Sequence, residues 1–434
     1  MDTMRVSVFG LGYVGCVTAA CLARAGHVVT AVDVNDAKVA MVNARSSPII
    51  EPGLGDLLAD VVGAGRLRAT TSETEAIEHS EIALVCVGTP SLANGALDDA
   101  ALRRVTEQIG RALTARPKPY TIVLRSTVLA GTTQRVLLPA LRAAGVPGLG
   151  DVVGIAVNPE FMREGSSLQD FMAPPLTLIG CDDQRSLAAL RSLYAWLDAP
   201  FVATPVPTAE MVKYACNSFH ALKISFANEM ADICTALGAD AHDVMRVFKM
   251  DHVLNISEAY LRPGFAFGGS CLPKDLRALV HAARTTDLDL PLLSAILPSN
   301  ELQIRRALHA VLDTRKRRIG IVGLAFKPGT DDLRESPMVT LVEALIGKGC
   351  DVRILDRNVS IARLVGANRR YIEEEIPHIS SLMCETPEAL LAHAQLLVIG
   401  NASVEAAVVL GERGADLQVI DLTRGAVERR SAGG

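Results

Sequence analysis

The stretch FAFGGSCLPKD, Phe265 to Asp275, sets a cysteine behind two glycines and ahead of a lysine and an aspartate. A thiol becomes a nucleophile when its surroundings expose it and favour the thiolate. Gly268 and Gly269 would let backbone amides and a substrate approach Cys271, while Lys274 and Asp275 bring charge within a turn. A second group lies upstream in EMVKYACNSFHALKISFANE. There Lys213 and Asn217 are four apart, His220 is three further on and Asn228 eight beyond that, so all four fall near one stripe of a helix. Polar side chains amid an apolar segment are hydrogen-bonded, solvent-facing or functional. A lysine and an asparagine one turn apart could hold an oxyanion in a dry pocket. NPEFMREG adds Glu160 and Glu164, either of them a candidate general base or a surface carboxylate.

These groups need a redox partner, and the first thirty-odd residues supply a candidate. GLGYVG, Gly10 to Gly15, follows a strand-like run and opens a helix, and Asp33 ends the next strand. Gly10 permits the tight turn, Gly12 lets the backbone approach a pyrophosphate, and Gly15 allows close helix–strand packing. With Tyr13 and Val14 they form the cofactor loop, at a helix N-terminus that faces phosphates. Asp33 would accept from ribose hydroxyls and repel a 2′-phosphate, which favours NAD over NADP. Lys38 either reaches the same adenosine end or is a solvated helix lysine. Thr89 in VCVGTP and Thr127 in VLRSTV end apolar strands; each is a site residue or a strand-end cap. Cofactor loop, thiol, oxyanion pair and base together suit one sequence of steps: a hydride leaves a tetrahedral centre, the thiol traps an aldehyde, and a thioester is hydrolysed.

The elements that must position these residues read as two kinds of segment. RVSVFG, HVVTAVD, EIALVCVGT, YTIVLRST and VVGIAVN are strand-like runs with helices between, which implies a parallel, doubly wound sheet. From about residue 209 to 237 the helical period runs without a breaker, and further helices follow to about 312. RRIGIVGLAF then resumes the strand–helix alternation, with DVRILD, QLLVIG and LQVIDL as later strands. The expected fold is thus α/β: two Rossmann-like doubly wound domains joined by a helical middle domain with a long central helix. The expected boundaries are residues 1–205 for NAD, 206–312 for the helical middle and 313–434 for the last domain.

Composition narrows the class. At 434 residues, 49% apolar, 21% charged and net charge −5, the chain is multi-domain and globular, without the basic balance of a nucleic-acid binder. MDTMRVSVFG enters a strand with no secretory pattern, and no apolar run is long enough to span a membrane. Nine scattered cysteines without CxxC pairing suit a reducing cytoplasm, and no His or Cys cluster has the spacing of a metal site.

The ordered motifs GLGYVG, VGTP, RSTV, NPEF-RE, the Lys–Asn helix, FGGSCLPKD and FKPGTDDLRESP make the chain resemble the nucleotide-sugar 6-dehydrogenases almost end to end. These oxidise a sugar C6 alcohol to the acid with two NAD. The segment 210–229 with His220, LNISEAYLRPGFAFGGSCLPKD and GANRRYIEEEIPHISSL are similar to the GDP-mannose branch of that family. The resemblance implies a helical middle that forms a homodimer or higher oligomer with shared active sites, and a last domain that takes the nucleotide sugar. It implies Cys271 as nucleophile, Lys213 and Asn217 on the oxyanion, and Asp275 and Thr127 positioning water. Glu164 becomes the substrate-side carboxylate and Glu160 a second candidate for hydrolysis. Lys274 and Arg334 are implied beside the nicotinamide, and Lys327 beside the sugar nucleotide. Tyr260, Arg262 and Phe265 would bind substrate, with Arg262 reaching the neighbouring subunit's site. His220 and Asn228 belong with them. Ala259 departs from the branch, which usually carries a second tyrosine beside Tyr260. A UDP-glucose enzyme with the same chemistry and a non-enzymatic NAD sensor are the rival readings, and the sensor would not need Cys271, Lys213 and Asn217 together.

Overall fold

The computed structural model describes residues 3–424 except 95, 116, 262–263, 270–271, 326–332, 334, 358 and 360–378. Cys271, Arg262, Lys327 and Arg334 therefore lie outside the described residues. The chain forms two compact units, Met1–Ala221 and Leu222–Gly434.

The first unit is built on an eight-stranded sheet. Its strands are β1 (Arg5–Phe9), β2 (Val28–Val32), β3 (Leu67–Thr70), β4 (Ile82–Val85), β5 (Tyr120–Leu124), β6 (Val153–Val157), β7 (Thr177–Cys181) and β8 (Phe201–Thr204). They are arranged in the order β3-β2-β1-β4-β5-β6-β7-β8. Four of the five residues of β1 and of β2, and all five of β5, are buried, because helices cover both faces and the strands need no polar alternation. Strand order reverses between β1 and β4, so the loops leaving those two strands flank a crevice at the switch point.

The sheet is not wholly parallel as the alternation implied: β7 runs antiparallel to β6, and β8 returns parallel to β7. The helix between β6 and β7, Ser167–Met172, has six residues and spans about 9 Å, whereas a five-residue strand spans about 16 Å. Too short to carry the chain back across the sheet, it lets β7 start at the end where β6 stopped. Sequence reading also passed over β3, β7 and β8, three short strands at or beyond the edges of the buried centre.

The second unit carries a four-stranded parallel sheet, β10-β9-β11-β12, from β9 (Arg318–Val322), β10 (Asp351–Leu355), β11 (Leu396–Ile399) and β12 (Gln418–Asp421). Its core gathers Ile319, Ile321, Val339, Val342, Ile354 and Val398. The helix Val206–Ala236, 31 residues long, opens with Pro207 in its first turn, where the missing N–H costs nothing. Further along this helix, Glu229 accepts the amides of Leu292 and Leu293 at 2.7 and 2.9 Å. That caps the helix Pro291–Asp313, whose first N–H groups have no partner of their own.

His27 at the mouth of β2 is fully buried in the first unit. Its Nδ1 accepts the Met4 amide at 3.2 Å and its Nε2–H donates to the Leu193 carbonyl at 3.1 Å, which specifies the neutral ring. Burial holds its pKa below the usual histidine value. Above pH 6.5 the ring is neutral folded or unfolded. Below it the unfolded chain takes up a proton that the fold refuses, so stability falls toward the folded value. The slope approaches about 1.4 kcal/mol per pH unit once the unfolded histidine is charged. Thermal melting between pH 8 and pH 5 should show this loss in the wild type and less of it in His27→Gln; equal slopes would refute the assignment.

Candidate active site

The loop after β1 is shaped by two glycines that nothing else could replace. Gly10 has φ +100°, and a Cβ on Gly15 would lie 1.7 Å from the Gly10 carbonyl oxygen. Gly12 differs, since a Cβ there would meet nothing within 4 Å, so its side of the loop is open. The helix Tyr13–Arg24 starts at Gly12 with no side-chain cap and no acidic residue in its first turn. Its first amides are therefore available to an anion. Asp33, at the end of β2, accepts the Leu11 amide at 2.6 Å and the Asn35 amide at 2.9 Å. A carboxylate offers about four acceptor sites, so capacity remains for ribose hydroxyls. Lys38 lies 4.0 Å from Asp33. This set fits a dinucleotide: an open cradle, donors for the pyrophosphate, and an acid for the ribose.

The exits of β4 and β5 are tied together beside it. The Thr89 hydroxyl donates to the Thr127 carbonyl at 2.8 Å, and the Ser126 hydroxyl donates to the Val87 carbonyl at 2.6 Å. Thr89 thus has a definite structural bond at its strand end and still stands on the crevice side of the sheet.

Lys213 and Glu160 form a buried ion pair at 2.7 Å, their side chains 10% and 9% exposed. The second Glu160 oxygen accepts the Met162 amide at 2.7 Å, and the Lys213 ammonium stands 5.8 Å from the Phe161 ring centroid. Glu160 therefore holds Lys213. Glu164, in the same irregular loop after β6, is exposed, so the two carboxylates point to different surroundings despite their spacing. Asn217 and His220 lie exposed on the helix beyond Lys213. Sequence reasoning missed Glu210 one turn before Lys213. It is 2% exposed and accepts the Gly131 and Thr133 amides at 2.6 and 2.8 Å, which fixes the start of the central helix against the loop after β5.

In the second unit Asn228 and Tyr260 are exposed, Tyr260 with φ +63°, and Phe265 packs on the core. A Cβ on Gly268 would lie 2.3 Å from the Glu335 carbonyl, and Gly269 has φ +88°. Folding thus requires both glycines before Cys271, a reason that substrate access alone did not supply. Asn300, also missed, grips Phe267 with two bonds, 2.9 Å to its amide and 2.8 Å to its carbonyl. Lys274 and Asp275 pair at 3.1 Å on the exposed first turn of the helix Leu272–Thr285. Burial pushes the thiols of Cys16, Cys21 and Cys86 up to about 12, which leaves those three protonated and inert.

A sheet with a dinucleotide crevice at its switch point, followed by a long helix with a buried lysine and a second parallel sheet, defines a two-sheet nucleotide-dependent dehydrogenase. Three successive segments match the UDP-glucose/GDP-mannose dehydrogenase family: its NAD binding domain at residues 4–198, its central domain at 207–302 and its UDP binding domain at 320–421. The chain belongs to this family and is an NAD-dependent oxidoreductase. It is 47% identical over 430 residues to the GDP-mannose 6-dehydrogenase of Azotobacter vinelandii, covering 99% of this chain and 98% of that one. A ternary complex of GDP-mannose dehydrogenase from Pseudomonas aeruginosa has a TM-score of 0.95 at 44% identity, over 99% and 98% of the two chains. A UDP-glucose dehydrogenase from Pyrobaculum islandicum has a TM-score of 0.56 at 33% identity, over 99% and 95%.

Asp33→Ala removes the bond that holds Leu11 and the carboxylate whose remaining acceptor sites suit ribose hydroxyls. A hydrogen bond to a charged group contributes about 1.5–3 kcal/mol, so NAD affinity should fall by about tenfold or more. The preference for NAD over NADP should narrow as the carboxylate's repulsion of a 2′-phosphate disappears. Calorimetric titration of both cofactors measures this; unchanged affinity for NAD would remove Asp33 from the site.

Proposed function

We propose that this chain is a GDP-mannose 6-dehydrogenase, oxidising the C6 alcohol of the sugar to the carboxylate and giving GDP-mannuronate. The observation that carries the reading is the end-to-end similarity to a GDP-mannose 6-dehydrogenase, 47% over 430 residues. The contrast in TM-score between the GDP-mannose and UDP-glucose enzymes supports the choice of substrate. We divide the work among residues 1–205 for NAD, 206–312 for dimerisation and 313–434 for the nucleotide sugar. The helical middle supports this, since Ile224, Val247 and Met250 stand exposed along it, apolar side chains suited to a second copy of the chain. Among the described residues no helix is long and apolar enough to cross a membrane. We assign the enzyme to the cytoplasm, where its thiols stay reduced.

NAD would be held by the loop Gly10–Gly15, Asp33, Lys38 and Thr89, with Lys274 and Arg334 at its nicotinamide end, and would supply a hydride acceptor, one molecule for each of the two oxidations. The chain's residues do the rest. Cys271 adds its sulfur to the C6 aldehyde as a thiohemiacetal, which after the second oxidation is a thioester. Lys213 and Asn217 donate to the oxygen of that centre, where fixed donors in a dry site stabilise developing charge. Glu160 keeps the Lys213 ammonium in place for this. Thr127 and Asp275 orient the water that cleaves the thioester, restoring the thiol and releasing the acid. Glu164 faces the substrate, and His220, Asn228, Tyr260, Arg262, Phe265 and Lys327 bind it.

The stoichiometry tests the four-electron course. Each GDP-mannose consumed should give two NADH, followed at 340 nm, with no free aldehyde; one NADH with aldehyde released would refute it. UDP-glucose in the same assay should be turned over far more slowly. Equal turnover would transfer the assignment to the UDP-glucose enzyme and direct suspicion to Ala259.

Cys271→Ser tests the nucleophile. Serine keeps the shape and loses a group that ionises near neutral pH, so turnover should drop by about a thousandfold or more. GDP-mannose and NAD should still bind by calorimetry. Near-normal turnover in a folded, ligand-competent variant would return this cysteine to packing.

A further inference from the structure

Glu51, in the loop IIEPGLG ahead of the helix Leu54–Gly63, has no part in the chemistry above and yet is 8% exposed and saturated with donors. One carboxylate oxygen, Oε2, accepts the Tyr13 hydroxyl at 2.9 Å and the Gly165 amide at 2.8 Å. The other accepts the Ser167 amide at 2.8 Å. The Tyr13 hydroxyl also lies 3.0 Å from the Arg163 carbonyl oxygen. The backbone is thus reached on both sides of Glu164, at the Gly165 amide by the Glu51 carboxylate and at the Arg163 carbonyl by the single Tyr13 proton, which that carbonyl shares with the carboxylate.

The two grips come from separate elements. Tyr13 is the first residue of the helix whose N-terminus forms the cofactor cradle, and Glu51 belongs to a loop 38 residues further along the chain. A buried carboxylate is costly unless donors surround it. Burial works against the Glu51 charge, and the Gly165 and Ser167 amides outweigh it, so its carboxyl stays below the usual carboxylate range. Burial pushes the Tyr13 phenol up to about 12, so it remains a donor at neutral pH. Holding the Gly165 and Ser167 amides would need the carboxylate alone. The tyrosine is the extra part, and it ties that loop to the cofactor helix.

We propose that Glu51 and Tyr13 are positioning residues that fix Glu164 relative to the cofactor helix. They touch the backbone around Glu164 and act through it. The inference rests on the dehydrogenase reading above, in which Glu164 works on the substrate.

A kinetic cycle with GDP-mannose tests it. Glu51→Gln turns an amide group toward one of the donors, and Tyr13→Phe removes the hydroxyl with little change of shape. Each should lower kcat about tenfold, equivalent to one decade of barrier, with KM for NAD within about twofold. In a Glu164→Gln background neither should cost anything further, because groups that act through one residue are not additive. Losses that carry over undiminished into Glu164→Gln, or that fall only on KM for NAD, overturn the proposal. If Glu51→Gln does not fold, Tyr13→Phe carries the cycle by itself. Amide hydrogen exchange over residues 163–167 gives a readout without substrate. Faster exchange there in Tyr13→Phe, with the rest of the unit unchanged, upholds the tether, and unchanged exchange overturns it. A wild type that ignores GDP-mannose, with Tyr13→Phe still showing that exchange pattern, would fail the substrate reading and leave the tether standing.

Discussion

The Asp33 carboxylate, 2.6 Å from the Leu11 amide, sets the geometry on which the cofactor site depends. A chain leaving β1 must turn at once into a helix, and the turn leaves backbone amides that need an acceptor or a ligand. Asp33 takes the first of them, so the remaining donors at the helix start are presented in a fixed direction. Gly10 and Gly15 allow the same turn sterically, one by a backbone with positive φ and the other by the close pass of a carbonyl. Without the acceptor, the loop would have to satisfy Leu11 from solvent and lose its definition.

The second unit repeats the device. Asp356, one residue past β10, accepts the amides of Leu324 and Ala325 at 2.8 and 3.1 Å, just after β9. Gly323 there has φ +85°, as Gly10 has positive φ in the first unit. In both sheets the acid after the second strand holds the turn after the first, at the point where strand order reverses. The same physical demand, an unpaired amide at a strand exit beside a crevice, has been met twice in the same way.

The first unit also keeps buried charge that is paired. Lys213 and Glu160 are 2.7 Å apart at 10% and 9% exposure, and removing either member of such a pair leaves an uncompensated charge, at a cost of about 3–5 kcal/mol. Glu210, one turn earlier, spends its charge on two amides at the loop after β5. The start of the long helix is thereby fixed at two points, at the lysine that the oxidation is proposed to use and one turn before it. A donor held in this way needs little reorganisation as charge develops on a substrate oxygen.

The sequence by itself determined most of the buried strands, the glycine turn after β1 with the acid that holds it, and the span of the central helix. Each of these is written in neighbouring residues: apolar runs, glycines at fixed offsets, a helical period without a breaker. The edge strands β3 and β8 escaped because half or more of their residues are not buried and leave no continuous apolar run, and the direction of β7 followed from the length of one helix. The partners of the site residues were beyond reach for a different reason. Glu51 meets Gly165 and Ser167 across 114 and 116 positions, and Asn300 meets Phe267 across 33, separations at which no local period survives. That Glu160 would face Lys213 while Glu164 faced solvent was equally unreadable, since both lie in an irregular loop where spacing does not fix direction. Only the tertiary structure could decide these, because hydrogen bonds and ion pairs depend on distances in space that folding sets.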